Sequence, residues 1–146
     1  MKKLKTGYAY VVADIFHLGH LKHLQRCKRL CDILIVGVLT DKATMEKKPV
    51  PIIPYKERLE IVNNIKCVDK AVKQETYSPL PNAKKLKVDI LFESESHTKE
   101  AIKEAKKTIK KVLILPYYKP QSSTAIKLKI LKEYKYEHSK TPRIHT

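Results

Sequence analysis

No apolar stretch in this 146-residue sequence approaches the length of a membrane span. The longest, Ile33–Leu39, has seven residues, where a bilayer-crossing helix needs about 20. Membrane insertion is therefore not expected. Cysteine is limited to three, an odd number, and no secretory leader is recognisable. A disulfide framework is thus not expected, and a reducing, cytoplasmic compartment is. Acidic residues are scarce: 15 Asp and Glu stand against 31 Lys and Arg, a net charge of +16. That excess admits nucleic acid, an anionic surface or a polyphosphate ligand. The lysines are spread along the chain rather than blocked together, and tryptophan is absent. A nucleic-acid module, which would need a basic groove with stacking aromatics, is the weaker reading.

The length suits one domain, residues 1–146, with residues 136–146 expected as a flexible tail. Hydrophobic patterning alternates strand and helix. Strands are expected within Leu4–Ala13 and at Ile33–Leu39, Val68–Val72, Val88–Phe92 and Val112–Leu115. Helices are expected at His20–Leu30, Tyr55–Ile65, Ala83–Leu86 and His97–Ile109. A last helix is expected from a Ser122 cap through Tyr134. Ile33–Leu39 is β-branched and continuous, the mark of a strand covered on both faces. The order predicts an α/β fold: a single, Rossmann-like, doubly wound, parallel five-stranded sheet with helices on both faces. Ligands in such folds bind beyond the carboxyl ends of the strands.

Phe16-His17-Leu18-Gly19-His20 falls where the first strand becomes the first helix. Unpaired backbone N–H groups and the helix dipole make that place suited to phosphate. Gly19 lets backbone approach a ligand, and His17 and His20 can donate to phosphoryl oxygens. Thr40-Asp41 ends the second strand and leads to a loop with Lys47 and Lys48, fit to neutralise charge on a polyphosphate. Ser122, Ser123 and Thr124 open the last helix, where hydroxyls and amides serve either as a cap or as a phosphate cradle. Glu95 and Ser96 precede the fourth expected helix, with Ser96 as its expected cap. His23, Cys27 and Cys31 recur every four residues, but no fourth ligand has matching spacing for a metal.

Asp14-Ile15-Phe16-His17-Leu18-Gly19-His20, with the Thr-Asp, lysine-loop and Ser-Ser-Thr segments in the same order, resembles the cytidylyltransferases among HxGH nucleotidyltransferases. The likeness runs from about Tyr8 to Ile130. Within that family, Gln74-Glu75-Thr76 and Pro81-Asn82 resemble cytidylyltransferases acting on 2-aminoethylphosphonate. Two segments depart from the family pattern: Val11-Val12-Ala13 replaces Gly-Thr-Phe, and Tyr117-Tyr118-Lys119-Pro120 replaces Arg-Thr-x-Gly. The resemblance implies a CTP-dependent enzyme that moves CMP to a small phosphonate or phosphate acceptor. The acceptors it suggests are 2-aminoethylphosphonate first, then glycerol, choline or ethanolamine phosphate. It implies His17, His20 and Lys47 as catalytic residues. Nucleotide contacts are implied for Val12, Asp14, Gly19, Lys48, Arg58, Glu95, Ser122, Ser123 and Thr124. Acceptor contacts are implied for Asp14, Asp41 and Arg58. Mg²⁺ is implied as cofactor, carried on the triphosphate rather than by a protein cage, and a homodimer is the implied assembly. An ATP-using adenylyltransferase of the same superfamily is the alternative.

Overall fold

The computed structural model describes residues 2–140. Five parallel strands, β1 (Thr6–Val11), β2 (Ile33–Leu39), β3 (Lys70–Gln74), β4 (Ile90–Ser94) and β5 (Lys111–Leu115), form one sheet in the order β3-β2-β1-β4-β5. The direction of growth reverses at β1. Beyond the carboxyl ends of β1 and β4 the crossover connections diverge, which opens the crevice where ligands of such sheets bind.

Alternation along each strand splits the core into two layers. On one face Ala9, Leu34, Val36, Val38, Ile90 and Phe92 pack against Leu24 and Cys27 of α1 (Leu18–Arg29) and Val62 of α3 (Tyr55–Asn63). On the other, Tyr8, Leu91 and Val88 pack against Leu80 and Ala83 of α4 (Leu80–Lys85) and Ala105 of α5 (Lys99–Thr108). A single turn of helix, α2 (Asp41–Thr44), follows β2, and α6 (Ser123–Lys140) closes the described chain. Among the described residues no helix is long and apolar enough to cross a membrane.

Several boundaries differ from expectation for physical reasons. β3 and β4 each sit two residues later than the apolar runs suggest. Val68 is buried in the core but belongs to a turn, its N–H donating to Ile65. Polar Gln74, Glu93 and Ser94 are instead drawn into buried strand positions. α4 begins three residues earlier because Pro81 lies in its first turn, where no helical N–H is needed. Thr98, not Ser96, caps α5, accepting from the Ala101 N–H. Ile61, expected inside, is exposed, and Arg58 takes the inner face of α3 instead. Residues 136–140, expected in a tail, continue α6, and 141–146 lie outside the described residues.

The Gln74 and Asn82 segments serve the α4 layer. The Tyr8 hydroxyl donates to Gln74 Oε1 at 2.6 Å and accepts from Asn82 Nδ2 at 3.0 Å. Gln74 Nε2 in turn holds the Thr76 and Tyr77 carbonyls. Gly37 makes this network possible: a Cβ there would sit 1.9 Å from the Tyr8 hydroxyl and 2.5 Å from Gln74 Oε1. Gly37→Ala is expected to destabilise the fold by about 2 kcal/mol or more through overpacking and loss of the buried pair. A urea unfolding curve with a lowered midpoint checks this.

Candidate active site

β1 ends at Val11, and the chain reverses through Val12–Phe16 into α1. Ala13 and Ile15 take positive φ, 59° and 50°. For a β-branched residue such as Ile15 that is a strained conformation, of the kind found where a turn is held by its surroundings. His17 is the N-cap of α1 in extended backbone. Its Nδ1 accepts from the Gly19 N–H at 3.0 Å, and His20 Nδ1 accepts from the His17 N–H at 3.2 Å. The two histidines thus form a reciprocal capping box. The first-turn amides, expected to be bare, are partly covered by imidazole.

This bonding decides the chemistry of both rings. An Nδ1 that accepts from a backbone N–H carries no proton, so in a neutral ring the proton sits on Nε2. Burial lowers the His17 pKa. Burial, then His17 and His23, push His20 down to about 3. At neutral pH both rings are therefore uncharged Nε2–H donors. The ring centroids lie 4.0 Å apart, and Phe16 stacks on His20 at 5.3 Å. Gly19 is required by the same packing: a Cβ would fall 2.7 Å from His17 Cε1 and 3.2 Å from Tyr118 Cδ1.

Asp14, 4% exposed, fastens the turn to two other segments. Its carboxylate accepts from the Ile53 N–H at 2.9 Å, the Ile52 N–H at 3.0 Å and Lys127 Nζ at 2.6 Å. Burial pushes its pKa up, but Lys127 and the two amides together outweigh it, and the net shift is downward. The Ser123 hydroxyl donates to the Asp14 carbonyl at 2.5 Å. Ser122 caps α6, its hydroxyl accepting from the Ala125 N–H at 3.0 Å. Thr124 is exposed. Lys127 was missed by sequence reasoning, although it lies one turn beyond Ser123, a spacing that shares a helix face.

Arg58 is fully buried. It donates to the carbonyls of Ile53 at 2.9 Å, Val12 at 2.5 Å and Leu39 at 2.8 Å, and to Asp41 Oδ1 at 2.6 Å. The structure thus joins Val12, Asp41 and Arg58 in one knot and turns the guanidinium toward backbone rather than toward the open crevice. Lys47 and Lys48 are exposed on the loop after α2. Lys47 Nζ stands 5.0 Å above the Tyr77 ring, and Lys48 is near enough to His20 to help lower its pKa. Glu95 lies farther along the rim, its Oε1 accepting from the Tyr117 N–H at 2.9 Å. This bond ties the loop after β4 to the loop after β5.

Among the described residues no group of three His, Cys, Asp or Glu is placed to hold a metal ion. Cys27 contacts His23 Nε2 at 3.8 Å, but it is buried, and burial pushes its thiol pKa up.

The depressed histidines set the acid stability. Unfolded, His20 and His23 titrate near 6.5; folded, near 3 and 4. Between those values the unfolded chain binds more protons, so stability is complete above about pH 6.5 and drains away as pH falls toward 4. Thermal unfolding across pH 7.5 to 4 is expected to show a falling Tm. Proton NMR is expected to show His20 still neutral at pH 5.

Known proteins resemble this chain in sequence and in fold. A cytidylyltransferase-like family model matches residues 10–145. The chain is 40% identical over 78 residues to the FAD synthase of Archaeoglobus profundus, covering 53% of this chain and 50% of that protein. It is 42% identical over 67 residues to the choline-phosphate cytidylyltransferase of Saccharomyces cerevisiae, covering 44% of this chain and 16% of that protein. It spans half or less of the curated relatives it matches. A crystal structure described as the lipopolysaccharide core biosynthesis protein of Thermoplasma volcanium superposes with a TM-score of 0.69 at 28% identity, covering 82% of this chain and all of that one. The strand order, the paired imidazoles at the sheet's crevice and the match over nearly the whole sequence converge: this chain belongs to the cytidylyltransferase-like family of nucleotidyltransferases.

Proposed function

We propose that the chain transfers CMP from CTP to a small acceptor bearing a phosphonate or phosphate, releasing pyrophosphate. The observation that carries this reading is the pair of neutral imidazoles whose Nδ1 atoms are spent on backbone amides. Each keeps one Nε2–H for an oxygen whose charge grows in the transition state. An acceptor oxygen attacks the α-phosphorus in line, and the bond to the bridging oxygen of the leaving pyrophosphate breaks. The acceptor is already anionic, so no general base is needed. Catalysis is then positioning and charge stabilisation. His17 and His20 donate to the α-phosphate and the bridging oxygen. Lys47, with Lys48, offsets the added negative charge. The start of α6, through Ser122, Ser123 and Thr124, receives the leaving pyrophosphate.

Asp14 and Arg58 act in this reading as positioning residues, because their polar atoms hold the turn, the loop and the strand ends. Magnesium would enter on the triphosphate and neutralise part of its charge. Asp14 and Asp41 are committed to Lys127 and Arg58, which fits a metal held by the nucleotide rather than by the chain. Glu95 offers a base contact: one oxygen is fixed by Tyr117, which leaves Oε2 to accept from an exocyclic amino group such as that of cytosine. The likeness to an FAD synthase, whose product carries an adenosine half, favours ATP as the second reading.

Pyrophosphate release decides between them. With small phosphate and phosphonate acceptors, turnover is expected with CTP and at most a trace with ATP; the reverse preference selects the adenylyl reading. His17→Ala and His20→Ala are each expected to lower kcat by about 10² or more, as loss of a transition-state donor does. Turnover at the wild-type rate in both variants would remove the imidazoles from the chemistry.

A further inference from the structure

The penultimate residue of β4 is a carboxylate that the transfer step does not use. Glu93, 1% exposed, points to the same face of the sheet as Tyr8 and Tyr10. The Tyr10 hydroxyl donates to its Oε2 at 2.7 Å, and His97 Nδ1 also lies against Oε2. Oε1 receives nothing. Among the described residues it is the buried side-chain oxygen left without a hydrogen-bond partner. A buried carboxylate oxygen lacking a donor is costly, so a ligand that brings a donor to it is favoured.

The surroundings say what kind of ligand. Tyr10 and His97 stack with centroids 5.1 Å apart and form a half-buried aromatic wall beside the carboxylate. Such a wall favours a cation over its face. Burial first, then Glu93 and then Tyr77, raise the pKa of the Tyr10 hydroxyl, which places Tyr77 within electrostatic reach of Tyr10. Lys47 stands over Tyr77. Lys47, Tyr77, Tyr10 and Glu93 thus stand in electrostatic sequence from the lysine loop to the buried carboxylate. Asp14 is committed to Lys127 and two amides, whereas Asp41 gives one oxygen to Arg58 and Glu95 gives one to the Tyr117 N–H. Asp14 and Asp41, the acids implied as acceptor contacts, thus spend oxygens on structural partners, whereas Glu93 Oε1 has none.

We infer that Glu93 is the cation end of the acceptor subsite, taking the primary ammonium group of a zwitterionic aminoalkyl phosphonate or phosphate whose anionic end faces the histidines and Lys47. This rests on the transfer reading above. A primary ammonium group brings the N–H donor that Oε1 lacks; a quaternary one brings charge without a donor.

Calorimetric binding to the full chain with 2-aminoethylphosphonate, its N-trimethyl derivative and ethylphosphonate tests this without turnover. The wild type is expected to bind the primary amine at least tenfold more tightly than ethylphosphonate, with the trimethyl compound, which has the charge but no N–H donor, between the two. In Glu93→Gln, which keeps the shape and can still accept from Tyr10, the tenfold ratio is expected to collapse to within about threefold. Equal binding of the primary amine and ethylphosphonate by the wild type overturns the inference, with no dependence on how the variant folds. So does a Glu93→Gln protein that keeps the full ratio, or one whose loss is of CTP affinity instead. Equally fast pyrophosphate release with ethylphosphonate and the amine would sink the subsite and leave the transfer standing. Glu93-dependent amine binding without pyrophosphate release from either nucleotide would do the opposite.

Discussion

The crevice keeps its shape because one buried cation has nowhere else to go. Arg58 carries a permanent charge into the interior, where an unpaired ion would be very costly. The cost is offset only if its donors find oxygens, and the oxygens within reach belong to Val12, Leu39, Ile53 and Asp41. These lie at the end of β1, the end of β2, the lysine loop's far side and the start of α2. Satisfying one guanidinium therefore fixes four segments relative to α3. Asp14 repeats the device with opposite sign, drawing Ile52, Ile53 and Lys127 to the turn after β1. Together the two groups make the mouth of the sheet a rigid frame built mostly from backbone.

Within that frame the labour is divided between neutral and charged groups. The imidazoles contribute direction: each has one proton in one place because the capping box fixes the other nitrogen. The lysines contribute charge from an exposed loop whose side chains are long and mobile. Hydrogen bonds discriminate between geometries, whereas a screened positive field mainly raises local concentration. A strongly basic surface fits the second task and has no need to specify the first.

The fold was legible because its signal is periodic. A β-branched run such as Ile33–Leu39 reads as a covered strand whatever follows it, and five such runs between helical stripes leave few topologies. The HxGH turn was legible from residue type and junction. What escaped were polar residues that burial makes structural. Glu93 and Gln74 read as loop because a carboxylate or amide in a strand is costly by itself, and only the distant partners Tyr10 and Tyr8 make their burial sensible. Arg58 was placed correctly on its helix, but its face could not be foreseen, since its partners come from segments 5 to 46 residues away. Gln74 and Asn82, which suggested a substrate class by resemblance, serve the α4 layer as a hydrogen-bond network around one tyrosine.

The uncharged state of the two imidazoles carries a wider consequence. Histidine is ordinarily the residue that lets surroundings of changing acidity switch a site on and off. Here burial has withdrawn His20 from that role and moves His17 in the same direction. A drift of a pH unit either side of neutrality leaves His20, held near 3, in the same neutral form, so its Nε2–H stays in place across that range.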